Sequence, residues 1–238
     1  MKRIGVIGGV HGDEPLGVAV AREVGGIQAN PRAMRHKVRF TETDLNRSFL
    51  VQIPISYEER LATRLERVIR RGHYDCIVDL HTTRAHNSTC AIVTTEPNAV
   101  HRHIMHHMGL KKIVIMPPSH ALISVKPDVS LALEISHGDR TYTKSYLVNR
   151  LRTLTIPSSR NTNRETIEIY RCVQHVHKKT IQRLRIPLRS FKNFVQLSVP
   201  QKKKLGLHSD TDYYPLFTKG VTIADGAFTL LAAEKKGS

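Results

Sequence analysis

The chain has 238 residues, 40% of them apolar and 24% charged, enough for one large core or one domain with a small appendage. No stretch reaches the roughly 18 consecutive apolar residues that a membrane-crossing helix needs. Lys plus Arg number 37 against 20 Asp plus Glu, a net charge of +17 that calls for an anionic partner, yet aromatics at 5% and no Trp leave single-strand stacking platforms poorly supplied.

Met1 to Gly9 starts basic and apolar, as a secretion leader does. His11, Asp13 and Glu14 arrive where such a leader is still apolar, and no small-residue cleavage site follows. Lys2 to Gly8 alternates and is rich in Ile and Val, predicting a buried strand that closes in Gly8-Gly9. Pro15 to Val24 has helical spacing, with Pro15 at a tolerated first position. Ser56 to Arg71 predicts an amphipathic helix, with Ser56 and Glu59 as a capping box and Leu61, Leu65, Val68 and Ile69 inward. Strands follow at Cys76–Leu80, Cys90–Thr95, Lys112–Met116 and Leu131–Ile135, with a helix over Asn98–Met108. Arg164 to Arg185 reads as a long helix stopped by Pro187. Beyond it come short β-like pieces at Phe194–Val199, Tyr213–Phe217 and Gly220–Ile223. The expectation is an α/β domain over residues 1–186 and a small β-rich C-terminal segment over 187–238. Cys76, Cys90 and Cys172 are too few and too widely spaced for a disulfide framework, which fits a reducing, cytoplasmic setting.

The chemistry gathers at strand ends. The first strand leads into Gly8-Gly9-Val10-His11-Gly12-Asp13-Glu14, where a His and a Glu three residues apart can point two metal ligands at one spot. The strand from Cys76 ends in His81, within Val78-Asp79-Leu80-His81-Thr82-Thr83. Residues beyond the carboxyl ends of neighbouring strands converge in one crevice of an open α/β sheet. Two His and one Glu leave a position for water, the ligand set of catalytic rather than structural zinc, and Asp79 can take an imidazole's second N–H. Glu134 is a lone carboxylate in the apolar Leu131-Ala132-Leu133-Glu134-Ile135, costly to bury without a partner or a task. Each also has a plainer reading: Glu14 as a helix cap, His81 as a structural histidine, Glu134 as an arginine's partner.

Taken together, these motifs resemble the succinylglutamate desuccinylase/aspartoacylase family, relatives of the zinc carboxypeptidases. The resemblance is carried by Gly8 to Glu14, Asn30-Pro31-Arg32-Ala33, Asp44-Leu45-Asn46-Arg47-Ser48-Phe49, Asp79 to Thr83, Glu134 and a late Tyr214-Pro215-Leu216-Phe217 with Ala227-Phe228. It implies a zinc-carboxypeptidase-like mixed sheet flanked by helices. It further implies that His11, Glu14 and His81 hold one Zn2+ per chain, that Glu134 is the general base, and that Arg39 steadies the developing oxyanion. Asn46 and Arg47 would bind the substrate carboxylate. The implied reaction is hydrolysis of the amide bond of a small anionic N-acyl amino acid. Departures bear on the substrate: Ser124 stands where the family has a further arginine, with Lys126 the nearest cation, and Gly220 to Ala227 lacks the family's tyrosine.

Two other functions stay open: a carboxypeptidase- or amidase-like hydrolase on another small substrate, and a basic nucleic-acid-binding protein with a relic zinc site. Between Glu168 and Asp210 there is no acidic residue, while cations from Arg171 to Lys204 accumulate. Lys202 to Lys204 read as a solvated loop. His101, His103, His106 and His107 have helical ligand spacing but no accompanying carboxylate, and Ser119-His120 and Ser136-His137 lack a nucleophile-elbow setting. Nothing here calls for a membrane, and a homo-oligomer is compatible with the sequence.

Overall fold

The computed structural model describes residues 3–156, 166–217 and 226–233. The N-terminal Ile/Val run forms β1 (Ile4–Gly8), and Pro15 opens α1 (Pro15–Glu23). The two-residue β2 (Ile27–Gln28) leads to α2 (Pro31–His36), whose first turn is capped by Asn30 accepting the Ala33 N–H at 3.1 Å. α3 (Tyr57–Arg71) begins with both halves of the Ser56–Glu59 capping box. Its inward stripe is Glu58, Ala62, Leu65 and Ile69, so the buried face is turned from the expected one: Leu61 is partly buried and Val68 exposed. The cause is Glu58, whose carboxylate is drawn inward by the N–H groups of Thr41, Glu42 and Thr43.

β3 (Cys76–Thr83), β4 (Cys90–Val93), α4 (Ala99–His107), β5 (Lys112–Ile115), β6 (Ser130–Ser136) and α5 (Lys144–Thr153) follow the predicted alternation. The chain continues through β7 (Glu168–His177), α6 (Lys178–Arg183), α7 (Val199–Lys204), β8 (Tyr213–Leu216) and β9 (Gly226–Ala233). The long helix expected over Arg164–Arg185 is therefore corrected. Ile169, Tyr170, Val173 and Val176 suit a strand, and β7 pairs with β5 on one side and β9 on the other.

The strand expected at Phe194–Val199 is also absent as a ladder. The Phe194 and Leu197 N–H groups instead donate to the Pro215 and Tyr213 carbonyls, at 2.9 and 2.8 Å, so this segment lies along β8. Ser198 then caps α7. Lys202 belongs to that helix rather than to a solvated loop; it is buried, and its Nζ donates to the Ser209 carbonyl at 2.8 Å. The piece expected at Gly220–Ile223 lies outside the described residues.

Among the described residues, nine strands form one mixed sheet in the order β2-β1-β3-β6-β4-β5-β7-β9-β8. Side chains alternate between its faces. Val6, Val78, Leu80, Leu131 and Leu133 pack under α1, α4 and α5. Ile7 and Ile77 on the opposite face meet α3, Leu45 and Phe49, while Ile92, Val114, Ala132 and Tyr170 form a second patch. Register pairing places Asp79 beside Ala132 and His81 beside Glu134. These polar residues stand on that face, between the two apolar patches. No described helix is long and apolar enough to cross a membrane, and all three cysteines are free.

Candidate metal centre

β1 and β3 run parallel with Gly8 opposite Leu80, so the turn after β1 and the last residues of β3 reach the same place. The turn depends on two glycines. Gly9 has φ +75°, a backbone state that favours a residue without Cβ, and at Gly12 a Cβ would lie 2.1 Å from the Ala33 carbonyl carbon. Glu14 occupies the N-cap position of α1, but its side chain makes no cap hydrogen bond. Its carboxylate instead lies 2.7 Å from His11 Nδ1 through Oε1 and 3.3 Å from His81 Nδ1 through Oε2, and Oε2 accepts the Thr82 N–H at 2.9 Å. The plainer reading of Glu14 as a helix cap is excluded by that geometry.

His11, Glu14 and His81 are all buried, and one ligand atom from each lies within 4.8 Å of the others. Their remaining nitrogens complete the pattern. His11 Nε2 faces Asp44 Oδ1 at 3.1 Å and His81 Nε2 faces Asp79 Oδ2 at 2.9 Å. Both imidazoles thus turn Nδ1 towards the shared carboxylate and Nε2 towards a carboxylate behind them, the arrangement that fixes the tautomer and orientation of metal-ligating histidines. The donor set and its backing fit a zinc ion.

The electrostatics follow from this crowding. Burial acts to raise the Glu14 carboxyl, but the His81 charge and the hydrogen bonds from both imidazoles hold it well below the usual carboxylate range. Burial disfavours charge on His81, and Asp79 and Glu14 together raise it well above an ordinary histidine. Partial burial acts to raise the Asp44 carboxyl, but His11 and Arg39 hold it low. Glu134 goes the other way: burial pushes its carboxyl up, with His81 only partly offsetting it.

A cavity of about 240 Å³ opens over the cluster, lined by all seven residues singled out in the sequence: His11, Glu14, Arg39, Asn46, Arg47, His81 and Glu134. His81 lies within β3 rather than past its end, because that strand continues beyond Leu80 to Thr83, and Glu134 lies within β6, which continues to Ser136. Arg39 binds Asp44 Oδ2 through Nε and Nη2 at 3.2 and 3.1 Å, and its Nη1 is 3.9 Å from Glu14. Asn46 Oδ1 accepts the Leu122 N–H at 3.1 Å, which leaves its amide NH2 as the donor, and Arg47 Nη1 donates to the Asn46 carbonyl at 2.7 Å. Neither Ser124 nor Lys126 lines the cavity.

Two contributors escaped the sequence reading as individual residues. Asp44 links His11, Arg39 and the Asn46 N–H, and its place one residue before Leu45-Asn46-Arg47 was the available signal. His175 lines the cavity from β7, with Nδ1 3.1 Å from Thr229 Oγ1; misreading β7 as helix hid it.

Three histidines outside the cavity hold backbone carbonyls. His103 and His107 donate through Nε2 to the Thr155 and Arg150 carbonyls at 2.6 and 2.7 Å, tying α4 to the end of α5. His120 donates to the Phe49 carbonyl, and the Ser136 hydroxyl to the Ala85 carbonyl, so neither Ser-His pair is a catalytic dyad.

The profile of the succinylglutamate desuccinylase/aspartoacylase catalytic domain matches residues 1–119. An N-acyl-aromatic-L-amino acid amidohydrolase of Rattus norvegicus is 31% identical over 134 residues, 46% of this chain and 42% of the relative. An aspartoacylase of Xenopus tropicalis is 30% identical over 118 residues, 39% of this chain and 38% of the relative. The matched region is thus under half the length of these curated relatives. Among solved structures, a succinylglutamate desuccinylase from Chromobacterium violaceum superimposes with a TM-score of 0.75 at 16% identity, covering 100% of this chain and 86% of the other. Murine aminoacylase 3 gives 0.67 at 18% identity, covering 98% and 95%. These likenesses show the shared fold, the mixed sheet flanked by helices expected of the carboxypeptidase-like class.

Proposed function

The chain belongs to the succinylglutamate desuccinylase/aspartoacylase family, and on that premise we propose that it hydrolyses the amide bond of an N-acyl amino acid with zinc held by His11, Glu14 and His81. The observation that carries this reading is the pair of imidazoles turning Nδ1 to one shared carboxylate while Asp44 and Asp79 hold each Nε2. An isolated structural histidine has no use for that double alignment. Zinc in this triad supplies Lewis acidity towards the scissile carbonyl and makes water more acidic.

The chain's own residues divide the remaining work. Glu134, beside His81 on the neighbouring strand and partly exposed to the cavity, accepts a proton at its carboxylate and returns it to the leaving amine. A carboxyl raised by burial is better matched to such transfer near neutral pH than an exposed one. Arg39, anchored by Asp44, presents its guanidinium edge to negative charge developing on the carbonyl oxygen. Arg47 takes the substrate carboxylate, with the Asn46 amide donating alongside. The C-terminal segment, residues 187–238, reaches the site through Phe217 and Thr229. Three free cysteines suit a reducing compartment, and we assign the cytoplasm.

Elemental analysis of zinc-supplied wild type beside His81→Ala tests the centre. About one zinc per chain in the wild type, lost in the variant, is expected of a three-ligand site. Equal metal in both proteins would overturn the ligand assignment.

A further inference from the structure

The turn that carries Asn46 and Arg47 is held at both ends. At its start Asp44 Oδ1 accepts the Asn46 N–H at 2.9 Å, and the Asp44 carbonyl accepts the Arg47 N–H and the Ser48 hydroxyl, each at 2.8 Å. At its end Phe49 meets His120, from the connection between β5 and β6. The Phe49 N–H donates to the His120 carbonyl at 3.0 Å, and His120 Nδ1 donates back to the Phe49 carbonyl at 2.7 Å. A carbonyl only accepts, so this imidazole carries a proton on Nδ1. Two residues further on, the Leu122 N–H donates to Asn46 Oδ1 at 3.1 Å. These contacts tie residues 46–49 to residues 120–122.

The backbone shows why the end of the turn needs this hold. Directly after Phe49 the chain passes through Leu50 at φ +58°, a left-handed state that a leucine rarely adopts. Such a conformation persists only where its neighbours over-determine it. Here the Leu50 N–H is taken by Glu66 Oε1 at 2.6 Å on one side, and both backbone groups of Phe49 are taken by His120 on the other. Leu45, Phe49, Leu122 and Val125 also share one apolar cluster, so the two segments stay packed together when a single polar contact is removed. Ser119 and Ala121 line the cavity, whereas His120 between them does not. Its imidazole therefore acts on Asn46 and Arg47 through the Phe49 backbone.

We propose that His120 is a positioning residue for substrate binding: by fixing the Phe49 carbonyl it sets the place of the Arg47 guanidinium and, with the Leu122 N–H, the direction of the Asn46 amide. The inference rests on the deacylase reading given above and adds a residue to its carboxylate site. A positioning group moved by about 1 Å can cost on the order of 100-fold, which makes a contact outside the cavity matter inside it.

The test compares wild type, His120→Ala and His120→Asn as zinc-loaded full chains, with N-acetyl-L-aspartate and N-acetyl-L-phenylalanine as probes and amine release as the signal. His120→Ala should raise KM about 10- to 100-fold while kcat and zinc content stay near wild type, because binding common to ground and transition states is what is lost. His120→Asn, whose amide NH2 can donate to the same carbonyl, should restore most of that KM. A variant that merely folded less well would instead lose apparent kcat with its folded fraction, at unchanged KM. Amide hydrogen exchange gives a readout free of any substrate: the Phe49 and Leu122 N–H groups should exchange faster in His120→Ala and return towards wild type in His120→Asn. Unchanged KM in an active His120→Ala, or unchanged exchange at both amides, would overturn this inference and leave the deacylase reading intact. Neither hydrolysis nor calorimetric binding of either probe by the zinc-loaded wild type would overturn both.

Discussion

His81 and Glu134 are direct register partners on parallel strands, so their side chains emerge side by side on one face of the sheet. One residue ends in the His11–Glu14–His81 cluster and the other in a carboxyl raised by burial, and the sheet backbone fixes their separation. Glu134→Gln keeps the shape of the side chain and removes its capacity to accept a proton. We expect kcat to fall about 100- to 10,000-fold, the range for losing a general base, while zinc content stays at the wild-type level. Paired turnover and elemental measurements decide it; full activity in the variant would assign the base elsewhere.

The carboxylates behind the two imidazoles should act on metal affinity. Asp79→Asn and Asp44→Asn each weaken the orientation of one histidine, and a loss of roughly 10- to 100-fold in zinc affinity is expected. Competition against a chelator of known affinity reads this directly. Asp44→Asn also frees Arg39, so it should lower kcat beyond what re-supplied zinc restores, whereas Asp79→Asn should recover at saturating zinc. Identical behaviour of the two variants would contradict the separate role given to Asp44.

Glu58 gives a stability prediction with a definite pH sign. Its Oε1 accepts from Thr41 N, Thr41 Oγ1 and Asn30 Nδ2, and its Oε2 from Glu42 N and Thr43 N. Burial alone would raise this carboxyl, but these hydrogen bonds hold it below its ordinary value. A group depressed in the folded state stabilises fully above its unfolded value, near about 4.3 for glutamate, and loses that contribution as pH falls through its folded value. In Glu58→Gln the amide NH2 meets an N–H pair whichever way it turns. The cost should be about 1–3 kcal/mol in urea unfolding at pH 7, and the gap to wild type should narrow in acid. A gap independent of pH would show that the charge on Glu58 is not what pins the 41–43 segment.

At Gly12 the constraint is space. A methyl group there meets the Ala33 backbone at 2.1 Å, so Gly12→Ala must move α2 or the His11–Glu14 turn. Destabilisation of about 1–3 kcal/mol, or failure to fold, is expected from such overpacking. Where the variant does fold, weakened zinc binding should accompany the lower midpoint. A Gly12→Ala variant as stable as wild type would refute the close packing of turn and helix.

The parts of this molecule that were legible in its amino acids are those governed by local chemistry. Pro15 as the first residue of α1 and the Ser56–Glu59 box are decided within one helical turn, and both form as read. His11, Glu14, His81 and Glu134 were visible because such residues are out of place at the ends of apolar strands. β7 was misread because Lys178–Arg183 continues it without Gly or Pro, and because a strand's stability comes from its neighbours. Those neighbours, β5 and β9, are distant in sequence. His175 was lost with it. The same limit applies to Val68: its exposure follows from Glu58 being held by residues 41–43, a contact no helical periodicity contains.

The segment that lies along β8 has a consequence for how copies of this chain can meet. β8 is the last strand at its end of the sheet, and an unguarded last strand is a template for another molecule's backbone. Here Pro215 carries no N–H, and the outward carbonyls of Tyr213 and Pro215 already accept from Leu197 and Phe194. That rim is therefore closed to intermolecular strand addition. Association through this border would have to use side-chain surfaces instead, and fibrillar growth from it would first require residues 194–197 to peel away.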